Sequence, residues 1–93
     1  MVTAIVLIKA DRHRIPETAE ALLEVAGVAE VYSVAGEYDI VAILRVKHYD
    51  DLASVVTTKL AKVEGIEKTM TLMAFDCYSK KDVERMWAIG MDS

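Results

Sequence analysis

The chain has 93 residues, 54% of them hydrophobic, with 11 basic and 15 acidic side chains, a net charge of −4 and one cysteine. That length suits one domain, 1–93, with a core over 2–78 and a helical tail over 79–93. The acidic balance argues against direct nucleic-acid binding, which draws its affinity from Lys and Arg neutralising phosphates, and no basic run exceeds Lys80-Lys81.

A lone Cys77 forbids an internal disulfide and fits a reducing cytoplasm. The apolar start, residues 2–8, is too short for a membrane span and has no basic stretch before it, so neither a signal peptide nor a membrane partner is expected. Asn and Gln are absent, a depletion that accompanies heat adaptation.

Residues 2–9 are almost continuously apolar and read as a first strand. Pro16 suits a first helical turn. Ile15, Ala19, Leu22, Leu23 and Ala26 then follow helical spacing, and Gly27 supplies a left-handed stop. Strands are expected over 28–35 and 38–47, joined by Gly36-Glu37 as a two-residue type II′ turn. Asp50 or Asp51 is placed to cap a second helix with the stripe Leu52, Val56, Leu60 and Val63, ending at Gly65. Residues 66–78 read as the fourth strand. Ser79 and Asp82 resemble a capping box opening a short last helix with Val83, Met86 and Trp87. Residues 25–31 echo 63–69, each a helix end, a glycine stop and a strand start. This βαββαβ order predicts an α+β, ferredoxin-like sandwich with both helices on one side of an antiparallel sheet.

The uncovered sheet face should be polar in a monomer. In the third strand Ile40, Ala42 and Leu44 alternate with Val41 and Ile43, and in the fourth Met70, Leu72 and Ala74 alternate with Met73 and Phe75. Both faces are therefore apolar, which marks an association surface. A dimeric α+β barrel is expected, its interface drawn from Ile40, Ala42, Leu44, Met70, Leu72, Met73 and Phe75, with the choice of face on each strand left open. The fourth strand, at about 43 Å for its length, would overhang a globule roughly 32 Å across unless a bulge near Asp76 breaks it.

Ala35-Gly36-Glu37-Tyr38-Asp39 is the most suggestive segment for binding. A glycine-led hairpin exposes N–H groups that suit a carboxylate, and Asp39 offers a charge that suits an ammonium. An acid beside a turn more often bonds local backbone. Thr69 and Thr71 share one side of the fourth strand and carry hydroxyls, but threonine is also an ordinary strand residue. His13 and His48 read as solvated loop residues and Cys77 as a packing residue. Met70, Met73, Met86 and Met91 read as filler rather than a metal box. No catalytic residue, metal site or cofactor is indicated.

Val34-Ala35-Gly36-Glu37-Tyr38-Asp39-Ile40, preceded by the helix end at Gly27, resembles the ligand-binding domain of the Lrp/AsnC family, also called the RAM domain. Gly65-Ile66-Glu67-Lys68-Thr69-Met70-Thr71 matches a second family motif, and together they span roughly residues 2–78. The resemblance implies dimers made by packing sheets, rings of dimers (an octamer or decamer), and an amino-acid effector held between dimers. It implies a ligand site at Gly36, Tyr38, Asp39, Thr69 and Thr71, with Glu37 at the variable loop position. It further implies a non-catalytic cytoplasmic regulator, standing alone without a DNA-binding half and acting through a DNA-binding partner. A pure assembly module that joins full-length regulators is the alternative, and a small dimeric barrel enzyme is a third reading.

Overall fold

A computed structural model of the chain describes residues 1–80. The elements are β1 (Val2–Ala10), α1 (Ile15–Leu23), β2 (Val28–Ser33), β3 (Ile40–Val46), α2 (Tyr49–Ser54) and β4 (Ile66–Ala74). A 3-10 turn, Arg12–Arg14, leads into α1; a π turn, Val55–Lys59, and a 3-10 turn, Leu60–Lys62, extend α2. The strands form one antiparallel sheet in the order β2-β3-β1-β4. This is the ferredoxin-like arrangement expected from the βαββαβ order. The expected last helix, with Val83, Met86 and Trp87, lies outside the described residues.

The core lies between the sheet and the helices. Ala4, Val6 and Ile8 of β1 and Ile40, Ala42 and Leu44 of β3 are fully buried there, under Leu22, Leu52, Val55 and Leu60. Each large aliphatic side chain so buried contributes about 1.5–3 kcal/mol. Packing is complementary across the β1–β3 register, where Ala4 faces Leu44 and Ala42 faces Val6.

The internal repeat is structural. Both Gly27 and Gly65 have positive φ, 100° and 95°, and each is followed at once by a strand. At Gly65 a Cβ would run into the hydroxyl of Thr18. Thr18 is the only buried polar residue among those described, and its Oγ1 donates to the Glu64 carbonyl at 3.2 Å. The tight turn thus ties the end of the second helical segment to α1.

Several expectations are corrected. The β2–β3 connection is not a two-residue turn: Ser33 pairs with Ile40, and the Val34 N–H donates to the Asp39 carbonyl at 3.0 Å, leaving residues 35–38 as the loop. The Asp39 N–H instead donates to the Ile8 carbonyl at 2.9 Å, so it serves the β1 ladder. Neither Asp50 nor Asp51 caps α2. His48 holds that position and both acids lie in the first turn, where they favour the positive helix end. The apolar stripe also shifts: the π turn adds a residue, so Val55 is buried and Val56 and Val63 only half-buried. β4 stops at Ala74, and beyond it Phe75 is 96% exposed. Cys77, expected to pack, is exposed.

The expected interface set is corrected in the same way. Ile40, Ala42 and Leu44 face the helices and have no surface to offer a partner. Met73 pairs with Ala4 and so lies on the helix side. Register gives the uncovered face instead to Ile5 and Leu7 of β1, Val41 and Ile43 of β3, and Met70 and Leu72 of β4. Met70 and Leu72 are 44% and 45% exposed.

Candidate functional site

The 35–38 loop leaves the sheet where β1 and β3 end together. Gly36 has φ 126°, and nothing lies within 4 Å of where its Cβ would stand. Gly36 and Glu37 are exposed, whereas Tyr38 and Asp39 are half-buried. The loop is therefore anchored on its β3 side and bare at its tip.

Asp39 supplies the anchor. Its Oδ2 accepts the Ala10 N–H at 3.0 Å, and its Oδ1 lies 3.6 Å from the Arg12 Nε. The Asp39 side chain is only 16% exposed, while that of Arg12 is 81% exposed. The carboxylate thus satisfies a β1 N–H that β3 can no longer reach. A carboxylate has about four acceptor positions, so two partners leave capacity for a ligand donor. Neither Ala10 nor Arg12 is legible as a partner in the sequence, because nothing local links them to a residue nearly thirty positions away.

Tyr38 lies across the uncovered face, its hydroxyl donating to the Met70 sulfur at 3.7 Å. Thr69 and Thr71 point the other way, since they pair with the buried Ile8 and Val6. Both are nevertheless exposed, because the helices do not extend over the edge strand β4. Thr71 lines a cleft of about 270 Å³ between β4 and α2, with Tyr49, Leu52, Ala53, Val56, Thr57 and Met73. One copy therefore brings Tyr38, Asp39 and Met70 together but sets the threonines on the opposite face.

At the far edge of the uncovered face, Tyr32, Glu30 and Arg45 form a polar chain. The Tyr32 hydroxyl donates to Glu30, whose other oxygen takes the Arg45 guanidinium at 3.2 Å. The Tyr32 hydrogen bond, then Arg45, hold the Glu30 carboxyl below its ordinary value, and the same bond pushes the Tyr32 phenol up. Among the described residues no three His, Cys, Asp or Glu side chains gather as metal ligands. No helix among them is long and apolar enough to cross a membrane.

A transcriptional regulator of the helix-turn-helix type from Pyrococcus furiosus is 36% identical over 76 residues, covering 78% of this chain and 51% of the relative. The chain spans about half the length of the curated relatives it matches. The crystal structure of a Thermus thermophilus protein superimposes with a TM-score of 0.78 at 46% identity, covering 86% of this chain and all of the other. A Neisseria meningitidis transcriptional regulator, solved as its L-Met complex, shares the fold with a TM-score of 0.74 at 11% identity, covering 84% of this chain and 52% of that one. The profile of the Lrp/AsnC ligand binding domain matches residues 3–83, so the chain belongs to that family of regulatory ligand-binding domains found in transcriptional regulators.

Proposed function

We propose that this chain is a non-catalytic, cytoplasmic amino-acid sensor that works as a homo-oligomer. The observation that carries the reading is the hairpin loop, rigid at Asp39 and bare at Gly36 and Glu37. Such a loop is half of a cleft. A neighbouring copy supplies the other half, bringing threonines such as Thr69 and Thr71 toward a loop that their own copy keeps on the other side. The free carboxylate of an amino acid suits the loop N–H groups, and its ammonium suits the remaining acceptor positions of Asp39. The amino-acid complex of the Neisseria regulator, built on the same fold, supports this ligand class.

Assembly begins at the uncovered face. Ile5, Leu7, Val41, Ile43, Met70 and Leu72 form an apolar layer with neither α1 nor α2 over it. A second copy packed sheet to sheet would remove that layer from water, at about 25 cal/mol per Å² buried. Dimers of this kind then close into a ring, an octamer or decamer, whose seams hold the effector. The ligand acts by differential affinity for two assembly states, which shifts a DNA-binding partner's activity.

A thermal-shift screen of the common amino acids beside native mass spectrometry tests this. The expected result is one amino acid, or a few related ones, raising Tm by mass action, about 2.7 kcal/mol at a hundredfold excess over Kd. Mass spectra should show multiples of a dimer. An oligomer indifferent to every amino acid would favour the assembly-module reading and end the sensor reading.

A further inference from the structure

The cleft of about 270 Å³ beside Thr71 is lined by no charged side chain. Two larger clefts, of about 410 and 330 Å³, are bordered by residues of both signs, Asp51 and Lys59 in one and Glu17 and Lys62 in the other. Leu52, Ala53, Val56 and Met73 give the smaller cleft aliphatic and thioether walls. Its hydroxyls are few. Thr57 already donates its own to the Ala53 carbonyl at 2.6 Å. Thr71 and Tyr49, both exposed, keep theirs for water or a ligand.

The π turn builds this lining. An unbroken helical stripe of Leu52, Val56 and Leu60 would send Val56 into the core. The added residue gives the core Val55 instead, 4% exposed, and leaves Val56 half-buried at the cleft beside Thr57. Such turns recur at functional sites. Met73, 36% exposed, adds a flexible wall that adapts to different apolar shapes.

We propose that this cleft receives the side chain of the effector and selects an amino acid whose side chain is apolar and of the size of leucine, methionine or phenylalanine. The inference rests on the sensor reading, in which a neighbouring copy's loop holds the carboxylate and ammonium near Thr71. An apolar side chain entering here exchanges water for aliphatic walls. A carboxylate, ammonium or amide side chain would lose its water with only two free hydroxyls in return. Alanine would leave most of the cleft unfilled and forgo those contacts. Ala53, Val56 and Met73 are then the residues that set specificity.

The test is calorimetric titration of the full chain with leucine, methionine, phenylalanine, alanine, asparagine, aspartate and lysine. One of the first three should bind most tightly and exceed alanine at least about tenfold, since each buried methylene changes affinity about fourfold. Ala53→Trp, which fills the cleft from an exposed helical position, should weaken binding of that amino acid by at least about tenfold. Ala21→Trp, on α1 and outside this cleft, should leave it unchanged. Val56→Ala, which widens the cleft, should raise the affinity of phenylalanine relative to leucine, a change of selectivity that altered assembly alone would not produce. Tightest binding of alanine or of a polar or charged amino acid would overturn the apolar selection and leave the sensor reading standing. Binding of no amino acid would end both. Full affinity in Ala53→Trp, or an unchanged ratio in Val56→Ala, would remove the cleft from recognition. Loss of oligomer mass in Ala53→Trp, read by sedimentation, would assign the cleft to a neighbouring copy's surface instead.

Discussion

Replacing Asp39 separates its two duties. In the folded chain its Oδ2 accepts the N–H of Ala10, a residue 4% exposed. Asp39→Ala removes a charged acceptor and leaves that N–H without a partner, a loss of about 1.5–3 kcal/mol. The Arg12 contact adds little, because Arg12 is largely in water. Asp39→Asn keeps an amide oxygen for the Ala10 N–H and discards only the charge, so it should cost about 1 kcal/mol or less. At fixed protein concentration the two variants should therefore differ by roughly 2–16 °C in Tm, since they differ by about 0.5–2 kcal/mol and each kcal/mol shifts a domain of this size by about 4–8 °C. Calorimetry with the effector then reads the second duty. Asp39→Asn, still folded, should lose most of its affinity if the charge holds an ammonium. Equal and small destabilisation by both variants would refute the structural tie. Undiminished affinity in Asp39→Asn would refute the ligand role and leave Asp39 as an anchor alone.

The uncovered face yields a second prediction: Leu72→Glu should convert the oligomer to smaller species in sedimentation velocity at micromolar concentration, and an unchanged mass would remove this face from assembly. Gly65→Ala should destabilise by about 2–4 kcal/mol in urea, from positive-φ strain plus the disturbed Thr18 hydrogen bond, and Thr18→Ala in the same chain should recover part of that loss. Tyr32→Phe should move the Glu30 midpoint upward in an NMR titration. Because the folded value is the lowered one, the contribution of this contact is present above the ordinary carboxylate range and is lost as pH falls through the folded value.

Much of the fold was legible because it rests on local signals. Pro16, the glycines at 27 and 65 and the strands that follow them each act within a few residues, and strands start directly after both glycines, although α1 ends at Leu23, before Gly27, and leaves Leu23 and Ala26 of the expected stripe exposed. What failed was tertiary in origin. The Gly36-Glu37 dipeptide is a sound hairpin signal, yet the loop is longer because Asp39 and Tyr38 are engaged with Ala10 and Met70, on strands the dipeptide cannot report. The stripe Leu52, Val56, Leu60 and Val63 assumes an unbroken helical period, which the π turn interrupts.

The hydrophobic pattern left the choice of sheet face open, although the sequence holds a further signal. Alternation splits each strand into two apolar sets without saying which meets the helices. Charged residues at the strand ends break the tie, since a lysine or arginine is held in the wet layer and every second residue shares its side. Lys9 has the parity of Ile5 and Leu7, and Arg45 that of Val41 and Ile43; in β4 the adjacent Glu67 and Lys68 take opposite parities, so pairing with β1 rather than charge assigns Met70 and Leu72. In the register these are the residues of the uncovered face, with Lys9 opposite Lys68 and Arg45 opposite Thr3. The face is thus apolar at its centre and charged at its ends, the pattern that burial of its centre against the proposed second copy requires. Parity fixed by the charges of β1 and β3, rather than hydrophobicity summed along the strands, identifies the face that α1 and α2 leave uncovered.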